Sequence, residues 1–240
     1  MKFFLAPMQG LTGYTVRNAF HHHFDYIDKY YTPFIPAAKR MNAKIKRDID
    51  PVNNDGITLI PQAMSIVADE VIDLHRQLVP YGYDEINVNL GCPSGTVVSK
   101  KRGSGILAYP DMLDSFLDEL YTKADFPVSI KTRVGFNDDE LWPRLIEIYS
   151  KYPISELTVH PRVQKDFYKN TPRMDDFALA MQKINPDKTT LCYNGDITDT
   201  NSFNALTDCF PDINEIMIGR GLFANPALIA ELKGISMDKA

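Results

Sequence analysis

The sequence predicts an α/β fold of the (β/α)8 TIM-barrel type. Eight short β-rich runs recur along 240 residues, and amphipathic helix-like stretches separate them. Such strand–helix alternation calls for a parallel sheet, and eight units in this length match a compact barrel. The first run is also followed by Ala6-Pro7-Met8-Gln9-Gly10. An open doubly wound sheet would usually carry a glycine-rich dinucleotide turn there.

The runs follow in order. Phe3–Pro7 is the first, and Tyr26–Thr32 is a weaker second. Thr58–Gln62 leads into a helical stretch at Ala68–Leu78, and Glu85–Leu90 precedes another at Asp111–Leu120. Val128–Thr132 is followed by Leu141–Tyr149, and Glu156–His160 by Asp176–Ile184. Thr190–Asn194 and Glu215–Gly219 complete the set. The last helix is punctuated by Asn225 as a cap, Pro226 at its first position and Gly234 at its end. No low-complexity segment, linker or solenoid period interrupts the pattern, so residues 1–240 are read as one barrel domain.

Composition narrows the class. The chain is 44% hydrophobic and 24% charged, ordinary for a globular protein. No apolar run approaches membrane-spanning length, and Pro7 arrives too early for a signal peptide. Three scattered cysteines form neither a disulfide framework nor a zinc pair. The expected setting is cytoplasmic, with no membrane and no metal, and a monomer is favoured. The net charge of -5 argues against a protein that simply coats nucleic acid. Two basic clusters, Lys39-Arg40-Lys44-Lys46-Arg47 and Lys100-Lys101-Arg102, read as solvated surface. His21-His22-His23 does not read as a metal site, because helix neighbours point about 100° apart. Trp142 and the tyrosines read as packing, although Tyr14 could reach the rim.

Barrel sites lie at the carboxyl ends of the strands. Those ends deliver Met8, Gln62, Asn89 with Cys92, Lys131 with Arg133, His160 with Arg162, Asn194-Gly195-Asp196 and Gly219-Arg220. Parity agrees: Ser129, Lys131 and Arg133 alternate with Val128, Ile130 and Thr132. A buried lysine is costly without an electron-rich partner. The paired glycine turns after the seventh and eighth runs suit a cofactor phosphate, with Arg220 as a forked cation. Cys92 suits a proton donor, since a free thiol with a pKa of about 8.5 keeps its proton at neutral pH. His160 as an activating base would instead make it a nucleophile, and the sequence leaves that open. The glycines between Pro93 and Tyr109 suggest a segment that closes over a ligand.

The segments APM-x-G-x-T, NLGCPSG, SIKTR-x-G, TVHPR, YNGD and IGRG, in order from Ala6 to Gly221, closely resemble the flavin-dependent tRNA-dihydrouridine synthases. The resemblance implies a barrel that binds FMN, takes electrons from NADPH and reduces the C5–C6 bond of uridines in tRNA. It implies that Pro7, Met8 and Gln9 lie along the flavin, and that Gln62 and Lys131 meet its polar edge. His160 would stand near the ring. Asn194, Gly195, Asp196, Gly219 and Arg220 would hold the phosphate end. Asn89, Arg133 and Arg162 would face the uracil, and Cys92 would protonate it. Thr12-Gly13 stands where many relatives carry Thr-Asp. The family's helical tRNA-binding domain is expected to be absent from these residues. The competing readings are a flavin barrel acting on a free pyrimidine, like a dihydroorotate dehydrogenase, and a catalytically silent RNA-binding barrel.

Overall fold

The computed structural model describes residues 1–37 and 40–235, so Lys39 of the first basic cluster lies outside the described residues. The strands form one sheet, and every pairing is parallel. They are β1 (Lys2–Leu5), β2 (Lys29–Tyr31), β3 (Ile35–Pro36), β4 (Leu59–Ile60), β5 (Gln62–Met64), β6 (Ile86–Leu90), β7 (Val128–Gly135), β8 (Glu156–Val163), β9 (Thr190–Tyr193) and β10 (Glu215–Ile218). The helices are α1 (Tyr14–His23), α2 (Ala43–Ile49), α3 (Ala68–Leu78), α4 (Gly95–Val98), α5 (Pro110–Lys123), α6 (Trp142–Lys151), α7 (Met174–Lys183), α8 (Thr200–Cys209), α9 (Arg220–Ala224) and α10 (Leu228–Leu232).

Ten strands among the described residues stand for eight runs, because two runs are broken. Pro33 lies between β2 and β3, and Pro61 separates β4 from β5. Proline has no N–H to give a ladder. The halves still pair run to run: Tyr30 and Tyr31 oppose Leu59 and Ile60, while Ile35 and Pro36 oppose Ala63 and Met64. The register slips by one residue across the break, as in a bulge. Thr32 spans it, donating its N–H to Ile60 O (3.1 Å) and accepting from Gln62 N at Oγ1 (2.9 Å). The formal sheet ends, β3 and β4, therefore belong to neighbouring runs, and the sheet closes as a barrel.

Alternation along the strands sorts the interior into layers. At the amino ends, Lys29 Nζ meets Glu156 Oε2 at 2.7 Å, and Tyr31 Oη donates to Glu156 Oε1 at 2.6 Å. Above this sits an apolar plug containing Phe4, Ile60, Cys192 and Met217, separate from the main core. The carboxyl ends carry the polar layer. The opposite strand faces, such as Val88, Leu90, Val128 and Ile130, pack under the helices. α6 buries Trp142, Leu145, Ile146 and Tyr149 on one face. Burial of Leu145 or Ile146 contributes about 1.5–3 kcal/mol each.

α1 begins at Gly13, which has no side chain to cap it. A carboxylate from α2 does so instead: Asp48 Oδ1 accepts from Tyr14 N at 2.7 Å. Asp48 also pairs with Arg17 (3.3 Å), a fully buried guanidinium that donates to Thr12 O at 2.7 Å. Thr12 Oγ1 in turn accepts from Met8 N (2.9 Å), so the loop after β1 is anchored from outside. The last helix starts later than the sequence suggests. Asn225 Oδ1 caps a turn at Ala227 N (3.1 Å), and α10 follows from Leu228 until Gly234, at φ +68°.

Candidate functional site

The carboxyl ends of the strands converge on one cavity of about 730 Å³. Pro7, Met8 and Gln9 reach it from the loop after β1, Gln62 from β5, and Asn89 and Cys92 from the end of β6. Lys131 and Arg133 enter from β7 and His160 from β8. Asn194, Gly195 and Asp196 follow β9, and Gly219 and Arg220 follow β10. Cys92 and Lys131 thus open onto the same space. Arg162 does not line it. It is buried behind the wall, donating to Asn170 O (2.6 Å), to His160 Nε2 (3.1 Å) and to both carboxylate oxygens of Asp196. Four of its five N–H donors hold neighbours, and Arg162 takes no part in lining the cavity.

A ladder of amides backs the cavity. Asn89 Nδ2 donates to Gln62 Oε1 (2.8 Å), Gln62 Nε2 to Asn87 Oδ1 (2.8 Å), and Asn87 Nδ2 to Ser129 Oγ (3.0 Å). Asn89 Oδ1 accepts from Gly91 N (3.1 Å) and Cys92 N (2.8 Å). One strand-end amide therefore folds the chain so that the thiol is presented to the cavity. Arg133, which lines the cavity, is held in part. It donates to Gly91 O (3.0 Å), Val163 O (3.0 Å) and Phe167 O (2.7 Å). Burial brings its pKa down to about 10.

Lys131 differs from these: its ammonium has no hydrogen-bond or carboxylate partner among the described residues. Burial, followed by the charge of Arg133, lowers its pKa to about 7. An unpaired cation facing this cavity is suited to an electron-rich ligand. Burial, with Arg133 and Lys131 next, also pushes His160 well below its usual value, so the ring is neutral. Because arginine only donates, His160 Nε2 is the acceptor and the proton sits on Nδ1. This tautomer has no free lone pair to deprotonate a thiol. Burial raises the Cys92 pKa despite the opposing pull of Ser94 N–H, Arg133 and Lys131, so Cys92 keeps its proton.

The two glycine turns stand side by side. At Gly195 a Cβ would lie 2.0 Å from Tyr193 Oη, so no larger residue fits. The N–H groups of Gly195, Asp196 and Gly219 have no acceptor among the described residues. Asp196 would repel an anion, but its carboxylate lies between Arg162 and Arg220 (2.5 Å to the latter). Burial works against its charge, yet these two arginines hold its pKa below the ordinary range. Arg220 retains free donors at the mouth. Open amides with a forked cation fit a phosphate.

Tyr168, read from sequence as packing, stands half exposed at the mouth. It is stacked toward His160 (6.2 Å between centroids) and flanked by Arg133 (5.5 Å) and Arg220 (4.9 Å). Its place on the loop directly after β8 was the available signal. Trp142 is fully buried. The glycine-rich segment after Cys92 is half anchored. Gly103–Leu107 is buried, and Ser104 N and Oγ both donate to Cys92 O (3.1 and 2.8 Å). His21 contacts Asp25 (3.1 Å), and no metal-binding group is found among the described residues. No helix is long and apolar enough to cross a membrane among those residues.

A family profile described as dihydrouridine synthase matches residues 4–239. The tRNA-dihydrouridine synthase B of Pasteurella multocida is 26% identical over 243 residues, covering 98% of this chain and 69% of that protein. A probable tRNA-dihydrouridine synthase of Staphylococcus aureus is 33% identical over 154 residues, covering 62% and 46%. The Escherichia coli tRNA-dihydrouridine synthase B is 30% identical over 165 residues, covering 68% and 50%. The chain thus matches only about half to two thirds of these relatives' lengths. Among solved structures, morphinone reductase superposes with a TM-score of 0.64 at 10% identity, covering 99% of this chain and 87% of that one. The 3-hexulose-6-phosphate synthase of Salmonella typhimurium gives 0.58 at 14%, covering 98% and 96%. These two likenesses concern the barrel fold alone.

Proposed function

Because the chain belongs to the dihydrouridine synthase family, we propose that its barrel is the catalytic unit of an enzyme reducing uridine to 5,6-dihydrouridine in tRNA. The carrying observation is the meeting of a protonated thiol, an unpaired lysine and two open glycine turns on one cavity. That donor set fits FMN. Lys131 and Gln62 would meet the polar edge of its ring, Pro7, Met8 and Gln9 would border it, and the turns at Gly195 and Gly219 with Arg220 would hold the phosphate. Bound FMN, kept reduced by NADPH, would supply the hydride.

The chain's own residues account for the rest. Cys92 gives its proton to the uracil carbon opposite the one that gains hydride, and solvent reprotonates the sulfur. Positioned proton transfer of this kind is worth about a hundredfold to ten-thousandfold. Asn89 and Arg133 hold the thiol's turn. His160 stays neutral and keeps its Nε2 on Arg162. Tyr168 offers a flat apolar face at the mouth against which a flipped base stacks.

The test is incubation with FMN, NADPH and unmodified tRNA, followed by mapping of the two-hydrogen mass gain by position. Dihydrouridine in tRNA supports the proposal. Oxidation of dihydroorotate with no change in tRNA would favour a free-pyrimidine enzyme. Failure to take up FMN would favour a silent barrel.

A further inference from the structure

The turn that carries Cys92 is gripped on three consecutive carbonyls by three different parts of the chain. Arg133 Nε holds Gly91 O at 3.0 Å, and Ser104 Oγ holds Cys92 O at 2.8 Å. Gln164 Nε2 holds Pro93 O at 2.9 Å. Gln164 is the most telling of these, because it reaches from the loop after β8 to the loop after β6, 71 residues away. The acceptor is a proline carbonyl, so the side chain must present its amide nitrogen. The loop it departs from is itself rigid: Asp166 accepts from Val163 N (3.2 Å) and pairs with Arg173 (2.5 Å). Arg133 ties Phe167 O to the same frame (2.7 Å).

We propose that Gln164 is a positioning residue: its bond to the Pro93 carbonyl sets where the Cys92 thiol stands and links that placement to the loop bearing Tyr168. The role rests on the reading of Cys92 as proton donor, but the clamp itself is a property of the fold. A misplaced reacting group loses rate without losing affinity, so the clamp acts on turnover rather than binding. The held turn leaves the sulfur only half exposed, so loosening it gives a reagent more access.

The experiment compares Gln164→Leu, which keeps bulk but removes the donor, with Gln164→Lys, which restores a donor of similar reach. Alkylation by iodoacetamide is followed peptide by peptide on the full chain, with the exposed Cys209 as internal standard. In Gln164→Leu the Cys92:Cys209 rate ratio rises about tenfold, the effect of losing one well-placed hydrogen bond. The kcat for uridine reduction falls about tenfold or more, while KM for tRNA stays within about twofold. Gln164→Lys returns both readings toward wild type. An unchanged alkylation ratio in Gln164→Leu, or equal effects of Leu and Lys, overturns the proposal. Should the Leu variant misfold, Gln164→Glu decides the clamp: it keeps the shape but sets an acceptor against the Pro93 carbonyl, so the ratio rises about threefold or more, and no rise overturns it. If wild-type protein reduces no uridine, the functional reading fails, and the alkylation ratio still decides the clamp.

Discussion

Replacing Lys131 with methionine should stabilise the FMN-free protein at neutral pH and weaken FMN binding. The amine has a folded pKa of about 7 against an ordinary 10.5. At about 1.4 kcal/mol per pH unit this gap corresponds to about 5 kcal/mol for a sealed site. Lys131 is only partly buried and lines the cavity at the barrel mouth, where solvent screening reduces the cost to about 2 kcal/mol. The sign follows from proton binding. Between pH 7 and 10.5 the unfolded chain holds a proton that the folded chain has released, so stability rises with pH across that window. The cost of the lysine is therefore full below pH 7 and fades as pH approaches 10.5. Urea unfolding at pH 6.5 and pH 9.5 reads this directly. Lys131→Met should be more stable than wild type by about 2 kcal/mol at pH 6.5, with most of that gain gone at pH 9.5. Fluorescence titration should show FMN binding weakened by about tenfold or more, the loss of a charge-assisted contact. A difference independent of pH, or undiminished FMN affinity, would refute the reasoning.

Asp176 supplies a test of opposite sign. Burial and then Asp139 raise its pKa to about 7, and its Oδ2 is buried without a partner. The folded state holds an extra proton between pH 4 and 7, so this carboxyl costs stability only as pH rises through that window. Asp176→Asn should gain about 1 kcal/mol at pH 8 and nothing at pH 4, measured by urea midpoints, the half-buried site limiting the size. Asp48→Ala should lose about 2–4 kcal/mol, because it strips the α1 cap and leaves buried Arg17 without its carboxylate. Asp48→Asn, which keeps an acceptor for Tyr14 N but drops the charge, should lose less, and equal losses would deny the cap a role.

Strand parity along residues 128–133 placed Lys131 and Arg133 on one face, because a period of two is a local property of the chain. The same logic found Asn89 and His160. What sequence does not reveal is which donors are already taken. Arg133 sits at the rim as its parity requires, yet its guanidinium is held by carbonyls 30 to 42 residues distant. Arg162 shares the parity of His160, but Asp196 draws it behind the wall. Both outcomes depend on loop paths that no periodicity encodes. Tyr168 escaped for a related reason: its exposure follows from the turn that Asp166 anchors, not from a pattern in neighbouring residues. The breaks at Pro33 and Pro61 were visible as prolines. The bulge that lets both halves keep their partners depends on Thr32 meeting Ile60 and Gln62, a tertiary match.

The central claim is that one protonated sulfur completes the reduction in this cavity. Cys92→Ala, loaded with FMN and supplied with NADPH and unmodified tRNA, measures it most directly. The account predicts an unchanged flavin spectrum and FMN content, with dihydrouridine formation lower by about a hundredfold to ten-thousandfold. Wild-type rates of dihydrouridine formation in that variant would contradict it.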